Sequence, residues 1–357
     1  MTGTKLVSII IPCYNEEKVI EKNVRQIIDL ISRHSDYRWE IICVNDGSKD
    51  GTGQILDDLA KRFAVVSVIH HPTNYGQGRG LRNAFAKSQG EYIITMDADL
   101  SYDVNHITEL LAATERVNAD IYLVSAYMDG GVVENVPPLR RFLSRWGNRF
   151  LCFMYGQDIH VMSCVVRLYK RKVIETLELF SEGMEINLEV LNYARIANFK
   201  MTEIPGRLIW RKEKTAEAKP ARVSKMRLVN TIKSYFRIGT FFRPSLMMSY
   251  PAVFFIIVGI LGSLRSLWIF FGYWGGGLTK QSIVDAVIKS FETNFPTILL
   301  SAFSILLGFL LVILGIIARY LQVIYEDNYR LHCRVNSYLK DASPRVTDRS
   351  EASEEVQ

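Results

Sequence analysis

Paired cysteines and the common phosphate-binding loops are missing from this sequence. The five cysteines are scattered, at Cys13, Cys43, Cys152, Cys164 and Cys333, and no C-x-x-C pair occurs. We therefore expect reduced thiols in a cytosolic portion, with no disulfides and no zinc ligands. Neither a P-loop nor a G-x-G-x-x-G run after the first strand is present, which argues against a kinase and against a dehydrogenase.

A secretory signal is likewise missing. Residues 1–5 lead directly into an apolar strand pattern without a cleavage site, so no cleaved leader is expected. The 357 residues can hold one substantial domain plus something smaller. Mean hydropathy is slightly positive, which is high for a soluble enzyme and indicates that part of the chain sits in lipid.

Two long apolar segments have the properties of membrane spans. Residues 250–274 are almost wholly apolar except for Ser263, Arg265 and Ser266, and residues 295–318 carry no charge. A bilayer core needs about 20 apolar residues in a helix, so both segments are long enough. Arg265 would be costly against lipid. Two explanations stay open, because its side chain either snorkels or faces a partner helix, or it meets a lipid phosphate.

Basic residues are concentrated just before the first span. Between Arg211 and Arg243 they far outnumber the acids, which are Glu213 and Glu217 alone. Such a block suits nucleic acid or an anionic membrane surface, and its place beside a span favours the membrane, so no nucleic-acid partner is expected. Further basic residues follow the second span, which predicts that both termini are cytoplasmic and that a short loop, 275–294, faces outward.

The first 210 residues alternate strand and helix patterns. Strand patterns occupy 6–11, 39–44, 65–70 and 92–96, and helical patterns occupy 17–32, 52–62 and 80–88. This order predicts an α/β fold with a mainly parallel sheet and helices on both faces. Ligands of such sheets bind beyond the carboxyl ends of the strands.

Polar runs follow each of the four predicted strands. They are PCYNEE at 12–17, NDGSKDGT at 45–52, NYGQGRG at 74–80 and DADLS at 97–101. Any one of them could be an ordinary turn or helix cap. Because all four meet at one edge of one sheet, we expect a binding site there.

Asp97 and Asp99 flank a small residue at the end of the fourth predicted strand. Carboxylates two apart on an extended strand point to opposite faces, but where the chain turns both can approach one hard cation. Mg²⁺ or Mn²⁺ takes oxygen ligands of this kind and bridges phosphate oxygens. The pair therefore predicts a divalent metal that neutralises charge on a departing nucleoside diphosphate.

These runs together resemble the serial motifs of family-two glycosyltransferases with the GT-A fold. Within that family they are similar to the dolichol-phosphate mannose synthase-like, or polyprenyl-phosphate glycosyltransferase, branch. The resemblance implies a Rossmann-like nucleotide-diphospho-sugar transferase domain, a nucleotide-sugar donor, a polyprenyl-phosphate acceptor (dolichyl or undecaprenyl) and a divalent metal. It covers nearly the whole chain, because members with two C-terminal spans are common.

The resemblance also implies roles for individual residues. Donor residues would be Pro12, Tyr14, Asn15, Glu16, Asp46, Gly78 and Asp97; metal ligands would be Asp97, Asp99 and, with the third ligand in doubt, Ser101. Lipid-phosphate residues would be Arg140, Ser144 and Arg145, on an Arg-rich helix that also includes Asn148, together with Arg167 and Lys225 in two motifs further along the chain. Asp99, Arg140, Ser144 and Arg211 would be catalytic, with Arg211 folding over the diphosphate.

The chain departs from the branch at three of these places. Asn45 replaces a frequent Asp, Ser101 stands where a Gln commonly assists the metal, and Ala126 stands where the branch has an Arg. The changes cluster around donor and acceptor, so the sugar need not be mannose or glucose. Neither the sugar, the base, the lipid length nor a homo-oligomeric state follows from the sequence.

Four regions are predicted from these patterns. Residues 1–218 form the cytoplasmic GT-A catalytic domain, 219–244 an interfacial amphipathic helix, 245–323 a two-helix transmembrane domain, and 324–357 a cytoplasmic tail with a disordered end. Apolar residues at helical spacing within 223–242 favour a helix in the membrane interface over an ordinary surface helix. The chain is thus predicted to be an integral protein of the plasma or inner membrane, in contact with membrane lipids.

A lipid phosphate is anionic at neutral pH and can attack the anomeric carbon without a protein base. We therefore expect direct displacement with inversion. Two rivals are a processive polysaccharide synthase, which typically carries a Gln-x-x-Arg-Trp run and more spans, and a non-catalytic membrane scaffold that kept the fold. Arg145-Trp146 has no Gln three residues before it.

Overall fold

A computed structural model of the chain describes residues 4–156, 159–210, 244–274 and 280–342. The strands are β1 (Lys5–Cys13), β2 (Tyr37–Asp46), β3 (Val66–His71), β4 (Tyr92–Thr95), β5 (Ile121–Ser125), β6 (Val132–Glu134), β7 (Arg167–Lys170), β8 (Met201–Pro205) and β9 (Arg207–Ile209). The helices are α1 (Ile20–Ile31), α2 (Thr52–Arg62), α3 (Gln77–Lys87), α4 (His106–Arg116), α5 (Pro138–Tyr155), α6 (Arg171–Thr176), α7 (Ile186–Ile196), α8 (Pro244–Trp274) and α9 (Lys280–Ala342).

Seven strands form one sheet in the order β3-β2-β1-β4-β7-β5-β8. The predicted mainly parallel α/β sheet is confirmed, with one exception that the sequence pattern did not indicate. Strand β7 runs antiparallel to both β4 and β5, with Thr95 and Leu123 each opposite Arg167. The other neighbours are parallel, and β6 and β9 form a separate parallel pair.

Both faces of the sheet are covered by helices. Val7, Ile9 and Ile11 of β1 belong to a core cluster built with residues of α1, α2 and α4. Ile10 alternates with them and is also fully buried, so the opposite face of β1 is covered as well. Helix α3 contacts β1, β2 and α7. The uninterrupted apolar sequence of β1 therefore agrees with a strand that is buried on both faces.

Two predicted element boundaries are wrong. Helix α3 begins at Gln77 rather than Gly80, because Gly76 takes a φ of 97° and turns the chain directly into the helix. The expected outward loop at 275–294 is helical from Lys280, where α9 begins. The backbone at Asn294 leaves helical geometry, with φ −128° and ψ 15°, two residues before Pro296. A kink at that point is what a proline inside a helix produces.

The described chain divides into two compact units, residues 4–210 together with 327–342, and residues 244–326. Helices α8 and α9 are long and apolar enough to cross a membrane, by length and composition, over Met247–Trp274 and Ile283–Asn336. Small residues line their contact: a Cβ added at Gly259 would lie 2.9 Å from the carbonyl oxygen of Ser301. Close approach through glycine is typical of packed membrane helices.

The last turns of α9 belong to the first unit and pack on α7. The rings of Tyr329 and Tyr193 stack with centroids 4.2 Å apart, and Arg330 Nε donates to the Ile196 carbonyl at 2.8 Å. The carboxylate of Glu178 meets His332 Nε2 at 2.8 Å. The predicted interfacial helix at 219–244 and the predicted disordered end after 342 lie outside the described residues.

Candidate functional site

The loops that follow β1 and β2 are joined by reciprocal hydrogen bonds. Asn15 N–H donates to Ser48 Oγ at 3.1 Å, and Lys49 N–H donates back to Asn15 Oδ1 at 2.9 Å. Glu16 N–H donates to Thr52 Oγ1 at 2.8 Å. Asn15 takes a left-handed φ of 55°, a conformation that asparagine tolerates better than most residues. Predicted donor residues Tyr14 and Asn15 are exposed on this joined edge.

Asp46 holds the next loop in place. Its carboxylate accepts from Tyr75 N–H at 2.9 Å and Gly76 N–H at 2.8 Å, and it contacts His71 Nδ1 at 2.7 Å. The side chain is buried. Asp46 therefore braces the loops after β2 and β3, and its predicted contact with the donor stays a prediction.

Gly78 packs against residues 181–183. Its N–H donates to the Glu182 carbonyl at 2.7 Å, and a Cβ there would collide with Ser181 O and lie 2.8 Å from the Glu182 carbonyl carbon. The Gly78 N–H is therefore used within the protein, and its predicted contact with the donor stays a prediction. Glycine is required here for a close approach of two backbone segments.

The chain turns between Asp97 and Leu100, as the predicted metal motif requires. Leu100 N–H donates to Asp97 O at 3.1 Å, and Leu100 has a φ of 47°, a conformation that costs a bulky residue about 1–2 kcal/mol. Asn23 Nδ2 donates to the Ala98 carbonyl at 2.8 Å, which ties this turn to α1. Both aspartates are half-buried. The turn thus presents two carboxylates at the carboxyl edge of the sheet.

Ser101 links this turn to β9. Its N–H donates to Asp99 Oδ1 at 2.9 Å, and its carbonyl accepts from Ile209 N–H at 2.8 Å. Over the described parts of the chain no group of three or more His, Cys, Asp or Glu side chains could hold a metal. The Ser101 ligand role therefore stays a prediction.

Buried neutral groups lie beneath the carboxylates. Burial raises the pKa of Tyr102 well above its usual range, with nearby Cys164 and Asp97 adding to the shift. Burial also raises the pKa of Cys164 to about 12, opposed by Arg167. The hydroxyl and the thiol therefore keep their protons at neutral pH.

Helix α5 carries the predicted acceptor residues on two flanks. Arg140 and Ser144 are four residues apart and share one flank, whereas Arg145 falls on the other. Arg140 and Arg145 are exposed and Ser144 is half-buried. Asn148 is buried instead: its Oδ1 accepts from Met162 N–H at 3.1 Å. Asn148 therefore anchors the helix rather than meeting a ligand.

Arg167 is an interior residue, which contradicts its predicted contact with a lipid phosphate. The side chain is 0% exposed. Nη1 donates to the Asn187 carbonyl at 2.8 Å and Nη2 to the Met162 carbonyl at 2.7 Å. The guanidinium thus joins two chain segments in the core. Arg211 and Lys225 lie outside the described residues, so their predicted roles stay predictions.

Two contributors to the site escaped the sequence analysis. Glu189 is buried and its carboxylate accepts from Phe180 N–H and Ser181 N–H, both at 2.9 Å, which braces the segment that covers Gly78. In the sequence, the one sign of its buried role is that Glu189 is the single acidic residue of α7 and stands among apolar residues. The second contributor, Trp210, stacks with Arg140, whose guanidinium Cζ lies 4.0 Å from the ring centroid.

The model of the family described as glycosyl transferase family 2 matches residues 8–178. Polyprenol monophosphomannose synthase of Mycolicibacterium smegmatis is 31% identical over 214 residues, which are 57% of this chain and 77% of that protein. Dolichyl-phosphate beta-glucosyltransferase ALG5C of Trichomonas vaginalis is 26% identical over 242 residues, 64% of this chain and 71% of that protein.

A similar solved structure is glucosyl-3-phosphoglycerate synthase from Mycobacterium tuberculosis, in complex with Mn²⁺, UDP-glucose and phosphoglyceric acid. The TM-score is 0.49 at 14% identity, over 66% of this chain and 79% of that one.

Proposed function

The chain belongs to glycosyl transferase family 2 and is a glycosyltransferase, and from that premise we propose that it moves a sugar from a nucleoside-diphosphate donor to a polyprenyl phosphate. The transfer takes place at the cytoplasmic face of a membrane and inverts the anomeric centre. The product is a sugar linked to the lipid through a single phosphate.

The observation that carries this proposal is the exposed surface of α5. Six apolar side chains recur at i, i+3, i+4, i+7, i+11 and i+14 and are each more than half exposed: Leu139, Phe142, Leu143, Trp146, Phe150 and Phe153. Four arginines and no acid accompany them in the helix. An apolar stripe flanked by arginines suits an acceptor that is both lipidic and anionic.

The donor side rests on the loops that follow β1 to β4. Asp97 and Asp99 would supply oxygen ligands, which suit Mg²⁺ or Mn²⁺, and their position in the turn at the sheet edge fits a metal that the donor's diphosphate would complete. When bound, the metal supplies charge neutralisation for the leaving group. Tyr14 is 36% exposed on the same edge, where it can stack on a base.

The acceptor supplies its own nucleophile. A phosphate monoester carries a charge of about −1.5 to −2 at pH 7, so its oxygen needs no general base. The task left to the protein is to hold two phosphorylated substrates together, and arginine forks perform it well. Arg140 and Ser144 stand on one flank of α5 for this role, with Arg211 as a further candidate beyond the described residues.

The names of two relatives support the lipid acceptor, because one names a polyprenol and the other a dolichyl phosphate. The two candidate spans support a membrane location. Flanking positive charge supports cytoplasmic termini. The membrane that holds the polyprenyl phosphate, a plasma or inner membrane, is the proposed location. The role of Arg265 stays open between snorkelling, helix pairing and contact with a lipid phosphate.

The test combines a donor panel with two matched variants. Purified full-length chain is incubated with polyprenyl phosphate and each of several nucleotide sugars, and the lipid product is measured. Trp146→Ser should raise the KM for polyprenyl phosphate by about 10- to 150-fold, since an exposed Trp loses roughly 1.5–3 kcal/mol of burial against lipid. Val117→Ser removes another exposed apolar side chain, 47% exposed outside α5, and should leave that KM unchanged.

Failure of every donor to yield a lipid-linked sugar would refute the proposed reaction. The metal role has its own test, since Asp99→Ala should abolish metal-dependent nucleotide binding in calorimetry as well as transfer. Retention of most transfer by Asp99→Ala would exclude the role assigned to that carboxylate.

A further inference from the structure

Trp210 has a fixed place beside the candidate metal loop. It follows β9 directly, and its N–H donates to the Glu134 carbonyl in β6 at 3.0 Å. The preceding residue, Ile209, donates its N–H to the Ser101 carbonyl at 2.8 Å. The backbone that carries the indole is therefore attached on one side to the short sheet and on the other to the Asp97–Ser101 turn.

The guanidinium of Arg140 lies over the Trp210 ring. Its Cζ is 4.0 Å from the ring centroid, within the distance at which tryptophan attracts a cation through its π face. Trp210 is half-buried and Arg140 is exposed. Among the residues that the structure describes, no hydrogen bond or ion pair to the Arg140 guanidinium is found.

Stacking on the Trp210 ring leaves the N–H donors of the Arg140 guanidinium available to a ligand. A guanidinium stacked on an aromatic ring uses its flat face, whereas its five N–H donors lie in the plane and point outward. An arginine on a solvent-exposed helix otherwise samples many rotamers, and an anion that binds it must order it. A side chain that is already ordered by the ring binds its anion at lower entropic cost.

We propose that Trp210 is a positioning residue for the acceptor: it holds the Arg140 guanidinium so that its N–H edge receives the phosphate of the lipid. Because β9 is bonded to Ser101, the same arrangement fixes this anion site relative to the carboxylates that handle the donor. The inference rests on the proposed function, in which Arg140 meets the acceptor phosphate. It adds a residue that makes no contact with either substrate.

Four variants of the full chain test the inference: Trp210→Leu, Trp210→Phe, Arg140→Ala and the double variant Trp210→Leu/Arg140→Ala. Binding of polyprenyl phosphate is measured in detergent without donor, and transfer kinetics are measured for both substrates. Trp210→Leu should weaken binding and raise the acceptor KM about two- to fivefold, the size of an exposed cation–π contact. Trp210→Phe keeps an aromatic face and should restore most of this loss.

The donor KM and the melting temperature should stay the same in both single Trp210 variants. In the Arg140→Ala background, Trp210→Leu should have no further effect on acceptor binding. An equal effect of Trp210→Leu with and without Arg140 would overturn the inference, as would a loss of acceptor affinity in Trp210→Phe as large as in Trp210→Leu.

The same measurements distinguish a failure of the positioning role from a failure of the proposed reaction. Suppose that the wild-type chain transfers no sugar, yet Trp210→Leu weakens binding of polyprenyl phosphate only when Arg140 is present. The positioning role then stands and the proposed reaction is wrong. If transfer occurs but Arg140→Ala leaves acceptor affinity unchanged, the reaction stands and the positioning role is wrong.

Discussion

Replacing Gly78 with alanine should weaken the first unit and its donor site together. The added Cβ would meet backbone atoms only: it would collide with Ser181 O and lie 2.8 Å from the Glu182 carbonyl carbon and 2.9 Å from Gly183 O. None of these atoms can move by a change of rotamer. The segment 181–183 must therefore shift away from α3, and the Gly78 N–H bond to Glu182 is lost.

The expected size follows from these contacts. Forcing a methyl group into a closed contact costs about 1–3 kcal/mol, and the lost hydrogen bond costs about 0.5–1.5 kcal/mol. Better helix propensity of alanine offsets up to about 1 kcal/mol. The net destabilisation is about 2–3 kcal/mol, which lowers the melting temperature of a domain of this size by about 5–10 °C.

Gly80→Ala is the matched control in the same helix. A Cβ at Gly80 meets nothing nearer than Val44 Cγ1, at 3.4 Å, an ordinary contact. Gly80→Ala should therefore leave the melting temperature unchanged or slightly raised. Both variants are compared by differential scanning fluorimetry in detergent and by calorimetric titration with nucleoside diphosphate, in which only Gly78→Ala should lose affinity. Equal behaviour of the two variants would refute the close-packing argument.

Three further predictions concern stability. Glu189→Ala should cost about 2–4 kcal/mol because two backbone N–H groups lose their buried acceptor; an unchanged urea midpoint would contradict this. Gly259→Ala should lower the melting temperature of the detergent-solubilised chain, whereas Gly272→Ala, with no atom within 4 Å of its added Cβ, should not; equal temperatures would argue against close packing of α8 and α9. Burial raises the pKa of Cys152 and Cys164 from 9.0 to about 12. The folded state therefore keeps protons that the unfolded state releases, so stability should fall as pH rises from 9.0 towards 12. Iodoacetamide should label neither thiol in the folded chain near pH 8. Rapid labelling seen by mass spectrometry would contradict the burial.

The parts of the fold that depend on local pattern were predictable. The strands at β1 to β4 and helices α1 and α2 follow apolar periodicity, and their boundaries agree with the sequence prediction to within a few residues. All five cysteines are free, as expected. The direction of β7 was not predictable, because four residues with no distinct pattern run antiparallel only through pairing with distant β4 and β5.

The site was predictable in its chemistry and less so in its contacts. Convergence of the four polar runs followed from strand order, and three of them, at 12–17, 45–52 and 74–80, are bonded to one another. For Asp46, Gly78 and Arg167, the residue type at a loop or strand end does not reveal how much of its hydrogen bonding goes to the protein's own backbone. The backbone partners at Tyr75, Glu182 and Asn187 are remote in sequence from these three residues and have no pattern that indicates the contact.

Because β7 runs antiparallel, the segment that carries α5 is separate in sequence from the loops proposed to bind the donor. Strand β5 ends, and β7 begins, at the same edge of the sheet, so the whole of 126–166 leaves and re-enters the fold on the ligand side. That excursion carries α5, whereas the loops proposed to bind the donor come from residues before 102. Exchange of the excursion between related chains, with β9 matched to it, should therefore alter the choice of acceptor and leave the choice of donor in place.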